Sequence, residues 1–247
     1  MDSTQILLAT AGAFLLAGFV KGVIGMGLPT VSIGLLGLLL TPAQAAAILV
    51  VPSLATNIWQ FAAGGGLGVL LRRMAPLLAG ICIGTFIGAI WLPGAGSKQA
   101  TLWLGLALAA YAALGLFNIH FVVPRHAEGR VGLVTGIATG AITVATGVFA
   151  IPMVPYIQAM RFERDRLVQA LGLSFTVSTV TLAAALGHAG EISTALAWPA
   201  LVALVAALIG VALGQIVRGR VREQTFRLCF FVGLLLLGLH LALRGLL

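Results

Sequence analysis

The 247-residue chain is 60% hydrophobic and only 8% charged, with a mean hydropathy of +1.13. This composition cannot provide a water-soluble surface, so it excludes a soluble globular domain and predicts that the lipid bilayer is the solvent. The net charge of +8 comes from basic residues between apolar runs, where they retain loops on the cytoplasmic side, so they indicate orientation and not a nucleic-acid partner.

Ten apolar segments follow one another along the chain. We predict helices at 5–24, 28–40, 43–63, 73–92 and 99–118, and again at 130–146, 148–160, 167–186, 194–217 and 225–244. Most approach the roughly 20 residues that an α-helix needs to cross a bilayer. We expect the first segment to remain in the protein, because no basic residue precedes it and no small-residue cleavage site follows a short core. The sequence therefore predicts an all-α polytopic membrane protein.

Matching features in the two sets of five segments indicate a duplicated chain. The polar stretch 118–130 separates them, so we predict a first membrane repeat over residues 1–124 and a second over 125–247. The matched pairs are Gly27 with Gly147, Gln44 with Gln169, Ser53 with Ser174, Pro76 with Pro199 and Gln99 with Gln224. Gly84 and Gly88 likewise match Gly210 and Gly214, a spacing that lets membrane helices approach closely.

The second segment of each half, 28–40 and 148–160, is too short to cross a bilayer comfortably. Each follows a break that contains glycine, at 25–27 and at Gly147, with a proline close behind. We predict that the first two segments of each half form a broken, re-entrant helical hairpin.

The loop charges support this hairpin prediction. If each hairpin returns to its own side, one side of the membrane holds Arg72, Arg73, Arg125, Arg130, Arg161, Arg164, Arg166, Arg218, Arg220, Arg222 and Arg227, and the other holds only Lys98 and Arg244. If the hairpins span instead, the split is a poorer 8 to 5. The positive-inside rule favours the hairpins. Three further spanning helices per half then make the two repeats inverted, with both termini outside.

Lys21 is the basic residue that we place deep within a membrane segment, one turn before the first break. A charge there is costly, so it indicates a purpose, and we expect it to attract an anionic substrate. The alternative is a lysine that extends to the interface. The backbone at Gly25, Met26 and Gly27, and the start of the next helix at Leu28, Pro29 and Thr30, would offer N–H groups to an anion.

Further polar side chains complete the candidate site. The second break offers Thr143, Thr146 and Gly147, although small residues at a helix crossing explain these equally well. The third segment of each half contributes Asn57 and Gln60, which share a face with Ser53, and Ser174 and Ser178. Contacts that bind helices to one another are the alternative for these.

We predict no catalytic site, no metal site and no cofactor. The run 172–175 lacks the final glycine of a serine-protease motif, and the two aspartates, Asp2 and Asp165, lie in polar ends or loops. No paired metal ligands or nucleotide-binding motif is found. Cys82 and Cys229 stand far apart within apolar runs and form no CxxC motif.

The run Gly18-Phe19-Val20-Lys21-Gly22-Val23-Ile24-Gly25-Met26-Gly27-Leu28-Pro29 resembles the TauE/SafE sulfite exporter family. The chain length, the duplicated glycine-containing element and the long apolar halves agree with that resemblance. It implies movement of sulfite, sulfoacetate and related organosulfur or carboxylate anions across the bacterial cytoplasmic membrane.

We therefore predict a secondary transporter that exports a small anion by alternating access. Its partners are the anionic substrate and the lipid bilayer, and the sequence is compatible with a homo-oligomer. Two alternatives remain open at this point: a membrane redox or assembly factor that uses Cys82 and Cys229, and a passive anion channel.

Overall fold

The fold is all-helical throughout the part of the chain that the structure, a computed structural model, describes, namely residues 3–62, 66–92, 95, 97, 99–117 and 122–246. The helices are α1 Ser3–Ile24, α2 Leu28–Leu36, α3 Pro42–Ala62, α4 Leu67–Trp91, α5 Ala100–Leu116, α6 Glu128–Thr146, α7 Met153–Ala159, α8 Arg164–His188, α9 Ala197–Arg218 and α10 Glu223–Leu246. Each matches one predicted segment. Lys98 and part of the predicted repeat boundary, 118–121, lie outside the described residues.

The long helices are suited to the bilayer. Within the described residues, seven helical stretches have the length and apolar composition to cross a membrane, and α5 is equally apolar but only 17 residues long. Their outward surfaces carry large apolar side chains such as Trp59, Phe86 and Trp91, which suits contact with lipid. The prediction of a polytopic α-helical membrane protein is confirmed.

Helices α1 and α9 pack closely and run parallel. A Cβ atom built on Gly18 would lie 2.3 Å from the carbonyl oxygen of Ala207, and one on Gly22 would lie 2.4 Å from that of Val211. Both contacts advance by four residues, so the helices point the same way. Only glycine permits such an approach of two backbones.

Helices α4 and α6 repeat this arrangement. A Cβ atom built on Gly80 would lie 2.4 Å from the carbonyl oxygen of Leu133, and one on Gly84 would lie 2.1 Å from that of Ile137. The pair α4 and α6 is therefore packed in the same parallel manner as the pair α1 and α9.

The two remaining major pairs are antiparallel. In α3 and α8, the hydroxyls of Ser53 and Thr179 lie 2.9 Å apart, while Gln169 near the start of α8 donates to the carbonyl of Phe61 near the end of α3. In α5 and α10, Gly105 lies against Ala242 and Gly115 against Phe231.

The first hairpin consists of α1 and α2. Lys21 and Gly25 lie beside residues late in α3, so α1 and α3 run in the same direction. The chain must therefore turn back between them, and α2 makes this return. After α2, the carbonyl of Leu38 reaches the end of α10, where Arg244 donates to it.

The second hairpin consists of α6 and α7, and Tyr156 of α7 donates to the carbonyl of Glu128 at the start of α6 at 2.7 Å. The second helix of each hairpin is short, as predicted, but it covers fewer residues than predicted. The helix α2 ends at Leu36 and not at 40, and α7 begins at Met153, because the backbone at 148–152 is not helical. The first helix of each hairpin is long, with 22 residues in α1 and 19 in α6.

Candidate functional site

Lys21 lies in the last turn of α1 and is only 6% exposed. Its ammonium donates to Thr56 Oγ1 at 3.0 Å and to Asn57 Oδ1, both on α3. No carboxylate in the described part of the chain pairs with it. The alternative of a lysine extended to the interface does not fit this geometry, because its charged end is turned inward onto neutral dipoles.

A hydrogen-bonded chain continues from Lys21 into the second half. Asn57 Nδ2 donates to Ser53 Oγ at 2.9 Å, Ser53 Oγ lies 2.9 Å from Thr179 Oγ1, and Thr179 is on α8. Sequence reasoning identified the face that carries Ser53 and Asn57 but left Thr56 and Thr179 out of the site. Spacing along one helix predicts a shared face, whereas the Ser53–Thr179 pair depends on how two helices cross.

The first break has the backbone that its glycines predict. Gly25 has φ 80° and Gly27 has φ 106°, both in the left-handed region. The amide of Gly25 closes the last turn of α1 onto the carbonyl of Lys21 at 2.7 Å. Among the described residues, the amides of Met26, Gly27 and Leu28 donate no hydrogen bond. They stand at the start of α2, where the helix dipole favours negative charge.

Other side chains hold this break in place. Gln60 Nε2 donates to the carbonyl of Gly25 at 3.0 Å and to that of Val168 at 3.2 Å. Thr30, one of the predicted site residues, donates its hydroxyl to the carbonyl of Gly27 at 3.0 Å. Tyr111 of α5 donates to the sulfur of Met26 at 3.4 Å. Pro29 lies in the first turn of α2, where its missing N–H costs nothing.

The second break resembles the first in backbone but carries no charge. Gly147 has φ 76°, and its amide bonds to the carbonyl of Thr143 at 2.7 Å. The amide of Gly25 makes the same bond to Lys21, so the backbone at Gly147 resembles that at Gly25. The sequence comparison had paired Gly147 with Gly27 instead. Thr143 thus stands four residues before Gly147, as Lys21 stands four residues before Gly25.

The hydroxyls near the second break are partly used within their own helix. Thr143 donates to the carbonyl of Thr139 and Thr146 to that of Ile142, each at 2.7 Å. Gly147 packs against Ile33 of α2. In the described part of the chain, none of these hydroxyls has a hydrogen bond to the Lys21 group.

Ser174 and Ser178 are fully buried on α8. The hydroxyl of Ser174 has no hydrogen-bond partner among the described residues, whereas that of Ser178 lies 4.0 Å from the sulfur of Met153 in the second hairpin. The predicted site thus divides into a charged group around Lys21 and a neutral group of hydroxyls associated with the second hairpin.

Cys82 on α4 and Cys229 on α10 are free and exposed. Within the described residues, no three His, Cys, Asp or Glu side chains are grouped to hold a metal ion. The group around Lys21 offers hydrogen-bond donors, acceptor oxygens and a positive charge.

The comparison with protein families covers most of the chain. The family model described as Sulfite exporter TauE/SafE matches residues 10–241. The chain belongs to this family. Membership of TauE/SafE makes it a membrane protein of an anion-exporter family, and the matched range includes both helix breaks and every predicted site residue. No curated protein and no solved structure matches the chain.

Proposed function

We propose that this TauE/SafE protein is a secondary transporter that exports a small anion across the bacterial cytoplasmic membrane by alternating access. Sulfite, sulfonates and other organosulfur or carboxylate anions are the substrate class. The observation that carries the proposal is the buried ammonium of Lys21, which lies beside a helix break and has only neutral partners among the described residues.

The charge of Lys21 explains why an anion fits. A buried charge is stabilised by a nearby opposite charge, which Thr56 and Asn57 cannot supply. An ammonium has three N–H donors, and two are used. The third donor and the amides at Met26, Gly27 and Leu28 are suited to the oxygens of an anion. Hydroxyls on α8, including Ser174, would extend this site toward the second half.

The helix directions support an inverted repeat of residues 1–124 and 125–247. If α1 crosses in one direction, α9 crosses in the same direction and α10 returns. Helix α5 is antiparallel to α10 and therefore runs in the same direction as α1. Helix α4, which precedes α5, and its parallel partner α6 therefore run opposite to α1. Corresponding helices of the two halves thus oppose each other, the arrangement that many alternating-access transporters use.

Basic side chains support one orientation of this repeat. Arg73 at the start of α4 pairs with Glu128 at the start of α6 at 2.6 Å, and Arg166 at the start of α8 donates to the carbonyl of Gly66. These three helix starts therefore lie at one end of the molecule, together with most of the arginines. The positive-inside rule makes this end cytoplasmic and leaves both termini of the chain outside.

Cysteine labelling tests this orientation. In a Cys82→Ser/Cys229→Ser background, we expect Ser193→Cys, in the α8–α9 loop, to react with a membrane-impermeant maleimide in intact cells. His126→Cys, before α6, should react only after the membrane is permeabilised. Both native side chains are exposed, so access to the residue itself is matched. Labelling of His126→Cys in intact cells would contradict the proposed orientation.

Exchange across liposome membranes tests the transport mechanism. We expect vesicles that contain the purified protein and are preloaded with unlabelled sulfite to take up labelled sulfite several-fold faster than empty vesicles. An exchanging carrier returns its site faster when it is loaded, whereas a passive channel gains nothing from preloading when valinomycin and equal potassium on both sides hold the membrane potential at zero. Equal rates in the two kinds of vesicle would favour the channel, and no uptake in either would contradict transport of sulfite.

A further inference from the structure

Gln60 has a feature that anion binding by Lys21 does not explain. It lies three residues after Asn57 and therefore on the same face of α3 as the partner of Lys21. Its Nε2 atom donates to two backbone carbonyls, at Gly25 and Val168. Carbonyl oxygens only accept hydrogen bonds, so the amide cannot be reversed without placing its own oxygen against two others.

The orientation of the Gln60 amide limits where its Oε1 atom can lie. The Oε1 atom is bonded to the same carbon as Nε2, so it lies within about 5 Å of the Gly25 carbonyl oxygen. Oε1 is buried and has no hydrogen-bond partner among the residues that the structure describes. A buried acceptor without a donor is costly, so such an atom indicates an interaction that is completed by something else.

The groups around Gln60 set the chemistry of that missing partner. Lys21 and the amides of the break are donors, and they require acceptor oxygens. Gln60 Oε1 is an acceptor, and it requires a donor. A ligand that satisfies both must carry negatively charged oxygens at one point and an O–H or N–H group at another.

Charge balance limits the ligand further. Among the described side chains that hydrogen-bond to Thr56 and Asn57 beside the break, Lys21 carries the positive charge and no carboxylate pairs with it, while Arg227 of α10 interacts electrostatically with Tyr111. A singly charged anion neutralises the ammonium of Lys21, whereas a dianion leaves a second negative charge with no hydrogen-bonded cation in a medium of low dielectric constant.

From these observations we infer that the site selects a monoanion that carries its own hydrogen-bond donor, which Gln60 Oε1 accepts. Hydrogensulfite, with its proton, and hydroxyl-bearing sulfonates belong to this class. Dianionic sulfite and simple alkanesulfonates do not. This inference rests on the proposed function, since it assigns the form of the anion that the Lys21 site takes.

Two stable sulfonates test the effect of a hydrogen-bond donor on the ligand while the ligand's charge stays the same. Isethionate and propane-1-sulfonate are both monoanions with the same number of non-hydrogen atoms, and they differ in having a hydroxyl or a methyl group at the far end. We expect purified full-length protein to bind isethionate at least tenfold more tightly in isothermal titration. A site built to accept a hydroxyl proton rejects the analogue that lacks it.

Variants assign this preference to Gln60. Gln60→Met keeps the length of the side chain but removes the acceptor, so the two sulfonates should bind with nearly equal affinity. Gln224→Met, at an exposed glutamine of α10, should retain the wild-type ratio. If Gln60 had only a structural role, Gln60→Met would weaken the binding of both sulfonates equally and leave the ratio of their affinities unchanged.

The possible failures are distinguishable. Equal binding of the two sulfonates by wild-type protein, or an unchanged ratio in Gln60→Met, would overturn this inference and leave the anion site intact. If neither sulfonate binds and sulfite transport is normal in Lys21→Met, the proposed site is wrong and the inference falls with it. The wild-type ratio needs no variant, so poor folding of Gln60→Met does not prevent a decision.

Discussion

Lys21→Met is expected to reduce sulfite transport in proteoliposomes by about 10- to 100-fold, with little change in thermal stability. A hydrogen bond to a charged group contributes roughly 1.5–3 kcal/mol, so losing the one contact that the third N–H of Lys21 makes to a bound anion corresponds to about one to two factors of ten. The loss should appear in the rate at low substrate concentration, where binding limits transport.

Stability should change little because the partners of Lys21 keep other interactions. Thr56 still donates to the carbonyl of Pro52 at 2.8 Å, and Asn57 Nδ2 still donates to Ser53. Only Asn57 Oδ1 loses its donor, at a cost of about 1–3 kcal/mol. Removing a buried charge offsets that cost, because methionine fills similar space without desolvating an ammonium.

Arg218→Met provides the matched control, since it removes a positive charge at the exposed end of α9 without touching the break. It should transport normally. Transport by Lys21→Met at the wild-type rate would show that Lys21 does not bind the anion and would contradict the proposed function. A protein that no longer folds in detergent would instead show that Lys21 supports the structure.

Much of the fold follows from the sequence because the bilayer imposes the length of its helices. The ten apolar segments each correspond to a helix, and the glycine and proline at 25–29 predicted the first break. The same reasoning failed at 148–152, where an apolar run was expected to be helical. Apolar character cannot distinguish a buried helix from buried non-helical backbone when both are covered by neighbouring helices.

The candidate site was predictable only as far as one helix can specify it. A spacing of four and three residues identified the face with Ser53, Asn57 and Gln60. The contact with Thr179 requires α3 to cross α8 at one particular point, and no local pattern encodes that crossing. The unsatisfied oxygen of Gln60 likewise depends on two carbonyls, Gly25 and Val168, that the sequence does not place together.

Gly84→Ala is expected to cause a large loss of stability for a single added methyl group. The new Cβ atom would lie 2.1 Å from the carbonyl oxygen of Ile137 and 2.6 Å from its carbonyl carbon and Cα atom. All three atoms belong to the backbone, so no change of rotamer relieves the overlap, and α4 and α6 must separate. Overpacking of this kind typically costs about 1–3 kcal/mol, and a backbone clash belongs at the upper end.

Gly233→Ala is the matched control, because it makes the same chemical change within α10 where nothing lies within 4 Å of the added atom. It should be neutral or stabilising by up to about 1 kcal/mol, since alanine is the better helix former. The melting temperatures of the two variants in detergent, followed by size-exclusion chromatography after heating, measure the difference.

Gly210→Ala extends this test to the other half. Its Cβ atom would lie 2.2 Å from the carbonyl oxygen of Leu15, almost the contact that Gly84 makes. If the halves are repeats packed by the same rule, Gly210→Ala should lose as much stability as Gly84→Ala. A melting temperature equal to that of Gly233→Ala would mean that α1 and α9 do not approach as closely as α4 and α6, and the equivalence of the two halves would fail at the helix that carries Lys21.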